Sequence, residues 1–441
     1  MNIREAGAAL RAKQVSSAEL TTECLRQIDR HNARVNAFLT VTAEQALSAA
    51  RQADAELAAG TDRGPLHGIP IAHKDLFDTA GVRTTYGSKI FTDHVPEADA
   101  DVVAILKQAG AVSLGKLGLH EFAYGITSSN PHFGPVRNPW DTERIPGGSS
   151  GGSGVATAMG MCFMATGTDT GGSIRIPASF CGVSGLKPTF GKISTAGCRA
   201  LSESLDHMGP LARTVGDVAA SYKALIGRSC SLDLPKGLRL GIPQNFFFDH
   251  SLPEVTAAVH RAAQLSGCEI VPVSIDAAED LVDLALTIIF AEAADQMGDL
   301  WDRRSEFGAD VLARFEQGRA QDPMLYLRAQ RHRVAASRRF MKVFEQCDVL
   351  LTPASPTPAP KIGDNLLQLN GVDYDLRLAT TRVARPINLL GIPALSLPGG
   401  LTAEKLPIGL QLLGRHHEEE TLLQVGAQME QGIGPLTPVW E

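Results

Sequence analysis

"DADVVAILKQAGAVSLGKL", residues 99–117, decides the architecture: a helix-like stretch runs straight into a strand-like one. A helix that hands over to a strand within a few residues lays its apolar stripe on a sheet, and this is the repeating step of layered α/β folds. The alternation recurs in both directions. Upstream, Ser16-x-x-Glu19 has capping-box spacing, and Leu20, Cys24, Leu25 and Ile28 follow at helical intervals, which predicts a first amphipathic helix. A second helix is expected over residues 43–59. Then "GIPIAHKDLFDT" breaks the helical period with Gly-Ile-Pro and supplies a short apolar strand around residues 69–76. Downstream, "GLRLGIP", "EIVPVSI", "DVLLTPASP" and "PIGLQLLG" read as strands flanked by helical stretches, and residues 281–343 are helical in pattern almost throughout. No low-complexity linker or fixed-period repeat marks a boundary, so one unit over residues 1–441 is expected.

Composition narrows the function. With 441 residues, 44% of them apolar and 20% charged, the chain can bury a large core and nothing in it reads as disordered. A net charge of −7 argues against a nucleic-acid surface or an anionic membrane as the main partner, and a small neutral ligand suits it better. Seven cysteines, at 24, 162, 181, 198, 230, 268 and 347, form no C-x-x-C pair and are odd in number. Neither a disulfide framework nor a zinc site is indicated, which fits a reducing compartment such as the cytoplasm. The opening "MNIREAGAALRAKQVSSAEL" lacks an uninterrupted apolar core of signal type, and no run of 18 apolar residues occurs, so no membrane association is expected.

The chemistry is concentrated in two glycine-serine clusters, "PGGSSGGSG" at residues 146–154 and "TDTGGSIRIP" at residues 168–177. A P-loop requires G-x-x-x-x-G-K-[ST], and no lysine follows these glycines. A dinucleotide fingerprint starting at Gly152-x-Gly154 fails because its third place falls on Thr157. Bare glycine backbone does allow a ligand to approach closely, and the N–H groups of Thr170, Gly171, Gly172 and Ser173 can converge on one oxygen as an oxyanion hole. Ser173 would then stand beside those donors, as an acyl-transfer nucleophile must.

Such a serine needs a base. None of the twelve histidines sits in a conventional motif, and His73, His120, His132 and His207, the nearest to glycine-rich or polar signals, read as ordinary polar or capping residues. Lys74 is the better candidate, because it lies in the apolar strand of "GIPIAHKD", where side-chain alternation turns Asp75 to the opposite face. Desolvation then lowers its pKa. From a free value near 10.4 only about one lysine in 2500 is neutral at pH 7, and a downward shift of roughly three units, about 4 kcal/mol, makes it a competent base. Where Lys74 does not reach Ser173 directly, the hydroxyl of Ser149 can pass the proton.

Together, "GIPIAHKD", "GGSSGGSG" and "GTDTGGSIRIPASFCG" resemble the amidase signature family, whose members use a Ser-cisSer-Lys triad. The likeness extends through "EFAYGITSSNPHFGPVRNPWD", "LKPTFGKIS", "SLDHMGPLART" and "LPIGLQLLG" and is weakest over residues 281–383. The resemblance implies Ser173 as the acylated nucleophile, Ser149 as the bridging serine after a cis Gly148–Ser149 peptide, and Lys74 as the base. It also places the oxyanion donors on Thr170, Gly171, Gly172 and Ser173, with Ser150, Asp169 and Arg175 in support. Tyr124, Gly125 and Arg333 are candidate substrate contacts, Arg333 as an arginine able to meet a substrate carboxylate. The implied fold is a single α/β unit, a large mixed sheet sandwiched between helical layers, with a helix-rich region over 281–383 shaping the substrate site.

The resulting expectation is a self-sufficient amidohydrolase, a monomer or homodimer without metal or organic cofactor. It would cleave C–N bonds of small or medium amides, with anilides, ureides and carbamates as further candidates. The alternative is the A-type glutaminase subunit of a tRNA-dependent amidotransferase. Such subunits carry a carboxylate a few residues before the proline of a "PVN"-like stretch. Here "TTRVARPIN" offers Thr381 and Arg382, a departure that counts against glutamine as donor.

Overall fold

The capping box read at Ser16 forms: its hydroxyl accepts from the Glu19 amide at 3.1 Å and the Glu19 carboxylate accepts from the Ser16 amide at 2.8 Å, opening the helix Ser17–Val35. In the computed structural model, which describes residues 1–441 apart from 229, 435 and 439–441, the next helix is Ala43–Ala58 and the apolar strand is Pro70–Lys74. Residues 99–117 resolve as expected into a helix, Asp101–Gln108, and a strand, Val112–Leu117, which lies parallel to Pro70–Lys74.

These strands belong to one mixed sheet of eleven. From edge to edge it runs Phe38–Val41, Val112–Leu117, Pro70–Lys74, Met164–Asp169, His207–Ala212, Ser184–Lys187, Ala394–Leu401, Pro407–Leu413, Val349–Pro353, Arg239–Pro243 and Glu269–Val273. The two faces feed two apolar clusters, and the strand period of two sorts residues between them. Leu350, Leu413 and Ala394 pack with the helices Ala278–Gln296, Ala309–Arg319 and Pro323–Met341. Their neighbours Leu351, Leu412 and Leu395 pack on the other side with Ser17–Val35, Val215–Ile226 and Glu419–Ile433. The sheet is therefore sandwiched between helical layers.

Residues 281–343 are helical as their pattern predicts, whereas the wider region to 383 also contains strands. After the short 3₁₀ turn Lys342–Glu345 the chain returns to the sheet at Val349–Pro353 and then folds a small hairpin, Leu366–Leu369 with Val372–Asp375. Along its first strand, exposed Leu366 and Gln368 alternate with buried Leu367 and Leu369. Among the described residues no helix is long and apolar enough to cross a membrane.

Candidate active site

Two parallel strands bring the first components together. Pro70–Lys74 pairs with Met164–Asp169 in the register Ile71 to Met164 and Ala72 to Ala165, so both strands deliver their last residues to the same end of the sheet. Ligands of open α/β sheets collect at that carboxyl end. Lys74 is fully buried, and its Nζ lies 2.8 Å from Ser149 Oγ and 2.6 Å from Thr168 Oγ1. Asp75 does turn to the opposite side, where its carboxylate accepts from the Thr85 amide and hydroxyl and faces Lys116 at 3.5 Å. Among the described residues no ion pair forms with Lys74, whose side-chain partners are hydroxyls. Burial pushes its amine down to about 7, against the weaker pull of more distant acidic groups including Asp206 and Asp169.

The two glycine-serine clusters meet over these strand ends. The Gly148–Ser149 peptide is cis, and the helix Gly151–Ala158 starts just beyond it. The Ser150 amide donates to the Ser173 carbonyl at 3.3 Å, tying the first cluster to the second. Ser150 Oγ also donates to the Thr168 carbonyl at 3.2 Å. Ser173 itself is 7% exposed and opens onto a cavity of about 50 Å³, whose wall includes Tyr124, Gly125, Thr170 and Gly171. Larger cavities lie elsewhere, one of about 670 Å³ beside Glu292 and Arg319, but neither glycine-serine cluster reaches it.

Asp169 holds the turn. Its carboxylate accepts from the Gly172 amide at 2.7 Å and the Ile174 amide at 3.1 Å, and takes both Nε and Nη2 of Arg175 at 3.0 and 2.9 Å. Burial alone would raise this carboxyl; the Arg175 guanidinium outweighs it and holds the group far below the usual carboxylate range. Since the Gly172 N–H is committed to Asp169, Thr170, Gly171 and Ser173 are left as candidate oxyanion donors. Gly172 has φ +120°, and a Cβ there would stand 2.7 Å from Ile176 Cδ1 and 2.9 Å from the Ala384 methyl. Gly172→Ala is therefore expected to cost about 1–3 kcal/mol in a urea titration and to lower amide turnover with it; an unchanged midpoint would show that the turn relaxes freely.

Not every expected residue reaches the cavity. Arg333 Nε donates to the Leu389 carbonyl at 2.9 Å and its other nitrogens contact Ser204, on the wall of a different cavity. His120, His132 and His207 are engaged with Asp310, Glu121 and the Leu205 carbonyl. Conversely, several contributors were not read from the sequence. Thr168 meets Lys74 from the neighbouring parallel strand, a pairing that no spacing in the sequence signals. Asn388 Nδ2 donates to the Asp169 carbonyl and carboxylate at 2.7 and 2.8 Å, and Gln411 accepts from Arg175 at 2.7 Å. Arg377 and Arg385 line the cavity itself. Among the described residues no group of three or more His, Cys, Asp or Glu side chains is placed to hold a metal ion.

The arrangement resembles known proteins over its whole length. The family model described as Amidase matches residues 19–423. The A-type subunit of the glutamyl-tRNA(Gln) amidotransferase of Moorella thermoacetica is 42% identical, covering 96% of this chain and 94% of that protein. Its namesake from Geobacter metallireducens is 39% identical, covering 98% and 97%. A solved structure superimposes with a TM-score of 0.93 at 37% identity over 100% of both chains; it is described as a vestigial protein complex that reveals the evolutionary origins of an s-triazine catabolic enzyme.

These names correct one expectation. A chain acting alone on a small amide, as monomer or homodimer and apart from nucleic acid, does not agree with relatives that are subunits of an assembly named for a tRNA. The net charge of −7 had suggested otherwise. It speaks only to direct contact with a polyanion, and one member of such an assembly can serve it without making that contact. Fold, motif clusters and near-complete alignment agree: the chain belongs to the amidase family.

Proposed function

We propose that the chain is the amide-cleaving subunit of an amidotransferase-type assembly, releasing ammonia from an amide donor through an acyl-enzyme on Ser173. The observation that carries the chemistry is the buried Lys74 amine, 2.8 Å from the Ser149 hydroxyl in the loop cluster that holds Ser173. With the amine neutral, the same contact lets the Ser149 hydroxyl donate to it. Ser173 Oγ attacks the donor's carbonyl carbon while its proton passes to Ser149 and the Ser149 proton passes to Lys74. Negative charge on the carbonyl oxygen is met by N–H groups of the glycine turn. The proton then returns to the nitrogen, the C–N bond breaks and ammonia leaves, with the acyl group on Ser173 as an ester. Water attacks that ester and its proton passes through Ser149 to Lys74; the C–O bond to Ser173 then breaks, the proton returns by the same path to the Ser173 oxygen, and the acid departs.

The assembly reading is supported by relatives that carry the subunit name and align with this chain almost end to end. Tagged chain recovered from its own cells is expected to bring partner chains in fixed proportion and to release ammonia at least about tenfold faster in that assembly than alone. A chain that comes alone and runs at full rate overturns the assembly. Separately, a neutral fluorophosphonate is expected to add its mass to the peptide carrying Ser173, with no addition in Ser173→Ala. Wild-type chain left unlabelled at Ser173 would remove the serine chemistry.

A further inference from the structure

The cavity onto which Ser173 opens holds two guanidinium groups, and no Asp or Glu lines it among the described residues. Arg385 is 2% exposed; its Nη2 donates to Thr381 Oγ1, whereas its Nη1 is buried without a hydrogen-bond partner. The Tyr124 hydroxyl, on a side chain 5% exposed in the same wall, is also without one. A Cβ at Gly171 would stand 3.8 Å from Arg385 Cγ, so the arginine stem lies beside the nucleophile's turn. Burial and the neighbouring Arg377 push Arg385 down to about 9, against the weaker pull of Tyr124 and of Asp283 and Asp375, two carboxylates outside the cavity wall, so it stays charged at neutral pH. A buried guanidinium with an idle N–H is costly unless an anion completes it.

We infer that Arg377 and Arg385, with the Tyr124 hydroxyl, form an anion subsite for a carboxylate on the acyl part of the amide donor, and that this donor carries no ammonium group. The inference rests on the amide-cleaving reading of Ser173. Two cations and no carboxylate in the wall repel an ammonium. The residues of "TTRVARPIN" supply nothing to hold one: Thr381 Oγ1 is taken by the Arg377 carbonyl and Arg385, while Arg382 turns away to pair with Glu279 and stack on Phe246. A volume of about 50 Å³, roughly three to five water-sized groups, takes the carboxylate and the carbons next to it, with the amide carbonyl at Ser173. The donor is therefore a short dicarboxylate monoamide or an anionic ureide of similar size.

The test compares glutaramate, which is glutamine without its amino group, with glutamine itself and with pentanamide, in which a methyl replaces the carboxylate; succinamate covers the shorter chain. In the recovered assembly, kcat/KM for succinamate or glutaramate is expected to exceed that for glutamine and pentanamide by roughly 100-fold, the scale of charge-assisted recognition. Arg385→Gln and Arg377→Gln should each lower the glutaramate-to-pentanamide ratio by about tenfold or more, a ratio that cancels losses of folded protein. If Arg385→Gln does not fold, Arg377→Gln, at a half-buried position, carries the comparison. Equal rates on charged and neutral amides, or preference for glutamine, overturn the subsite. Fluorophosphonate labelling of Ser173 separates the two failures: with labelling intact only the subsite falls, and without it in the wild type both readings fall.

Discussion

Lys74→Met is expected to lower amide turnover by about a thousandfold or more, and Lys74→Arg to be equally poor. Methionine fills the buried volume but has no lone pair that can take a proton. Arginine keeps the reach but stays protonated at neutral pH. In the wild type, kcat/KM should rise with pH through about 7, where burial sets the amine's titration, and then level off as the neutral form saturates. Stability gives an independent reading of the same group. The folded amine releases its proton near 7 and the unfolded one near 10.4, so between those values the unfolded chain binds more protons and stability rises with pH. Lys74→Met should lack that rise. A Lys74→Met protein that remains fast at neutral pH, or a wild type whose rate is flat from pH 5 to 9, removes the lysine from the base role.

Much of this arrangement could be read from the sequence because it depends on local chemistry. The strand of Lys74 announces itself by an apolar run after Gly-Ile-Pro, and period-two alternation correctly separated Asp75, which faces Lys116, from Lys74, which faces Ser149 and Thr168. Strands in the middle of the sheet were harder. Met164–Asp169 and Ser184–Lys187 are built from Gly, Thr, Ser and Asp as much as from apolar residues, and they form strands because neighbours on both sides pair with them. Long-range partners were harder still. Asn388 and Gln411 stand 219 and 236 residues from the groups they meet in the Asp169–Arg175 pair, a distance over which no spacing rule operates. Arg333 shows the opposite error: a plausible residue type on a plausible helix, whose guanidinium the fold spends on the Leu389 carbonyl and Ser204. The arginines that do line the cavity, Arg377 and Arg385, come from short helices after the hairpin, beyond residues 281–343 where the helical pattern was read and where the family likeness was weak.

Arg175→Met is expected to destabilise the protein by about 3–5 kcal/mol, seen as a lower urea midpoint. Arg175 is fully buried and gives its guanidinium to Asp169, the Ala384 carbonyl, Gln411 and Asn388. Removing it leaves the Asp169 carboxylate buried without its counter-charge, and that uncompensated charge, more than the lost attraction, sets the cost. The pair holds Asp169 well below its unfolded value, so its contribution is present above about pH 4 and is lost only as pH falls toward the depressed folded value. Turnover should fall with stability, because Asp169 also fixes the Gly172 and Ile174 amides on either side of Ser173. The double variant Asp169→Leu with Arg175→Met separates these effects. With both charges gone, much of the midpoint should return while turnover stays low, since leucine cannot orient the turn. A single variant as stable as the wild type would mean that the ion pair is neutral for folding, and a double variant with full activity would mean that the turn needs no carboxylate to hold it.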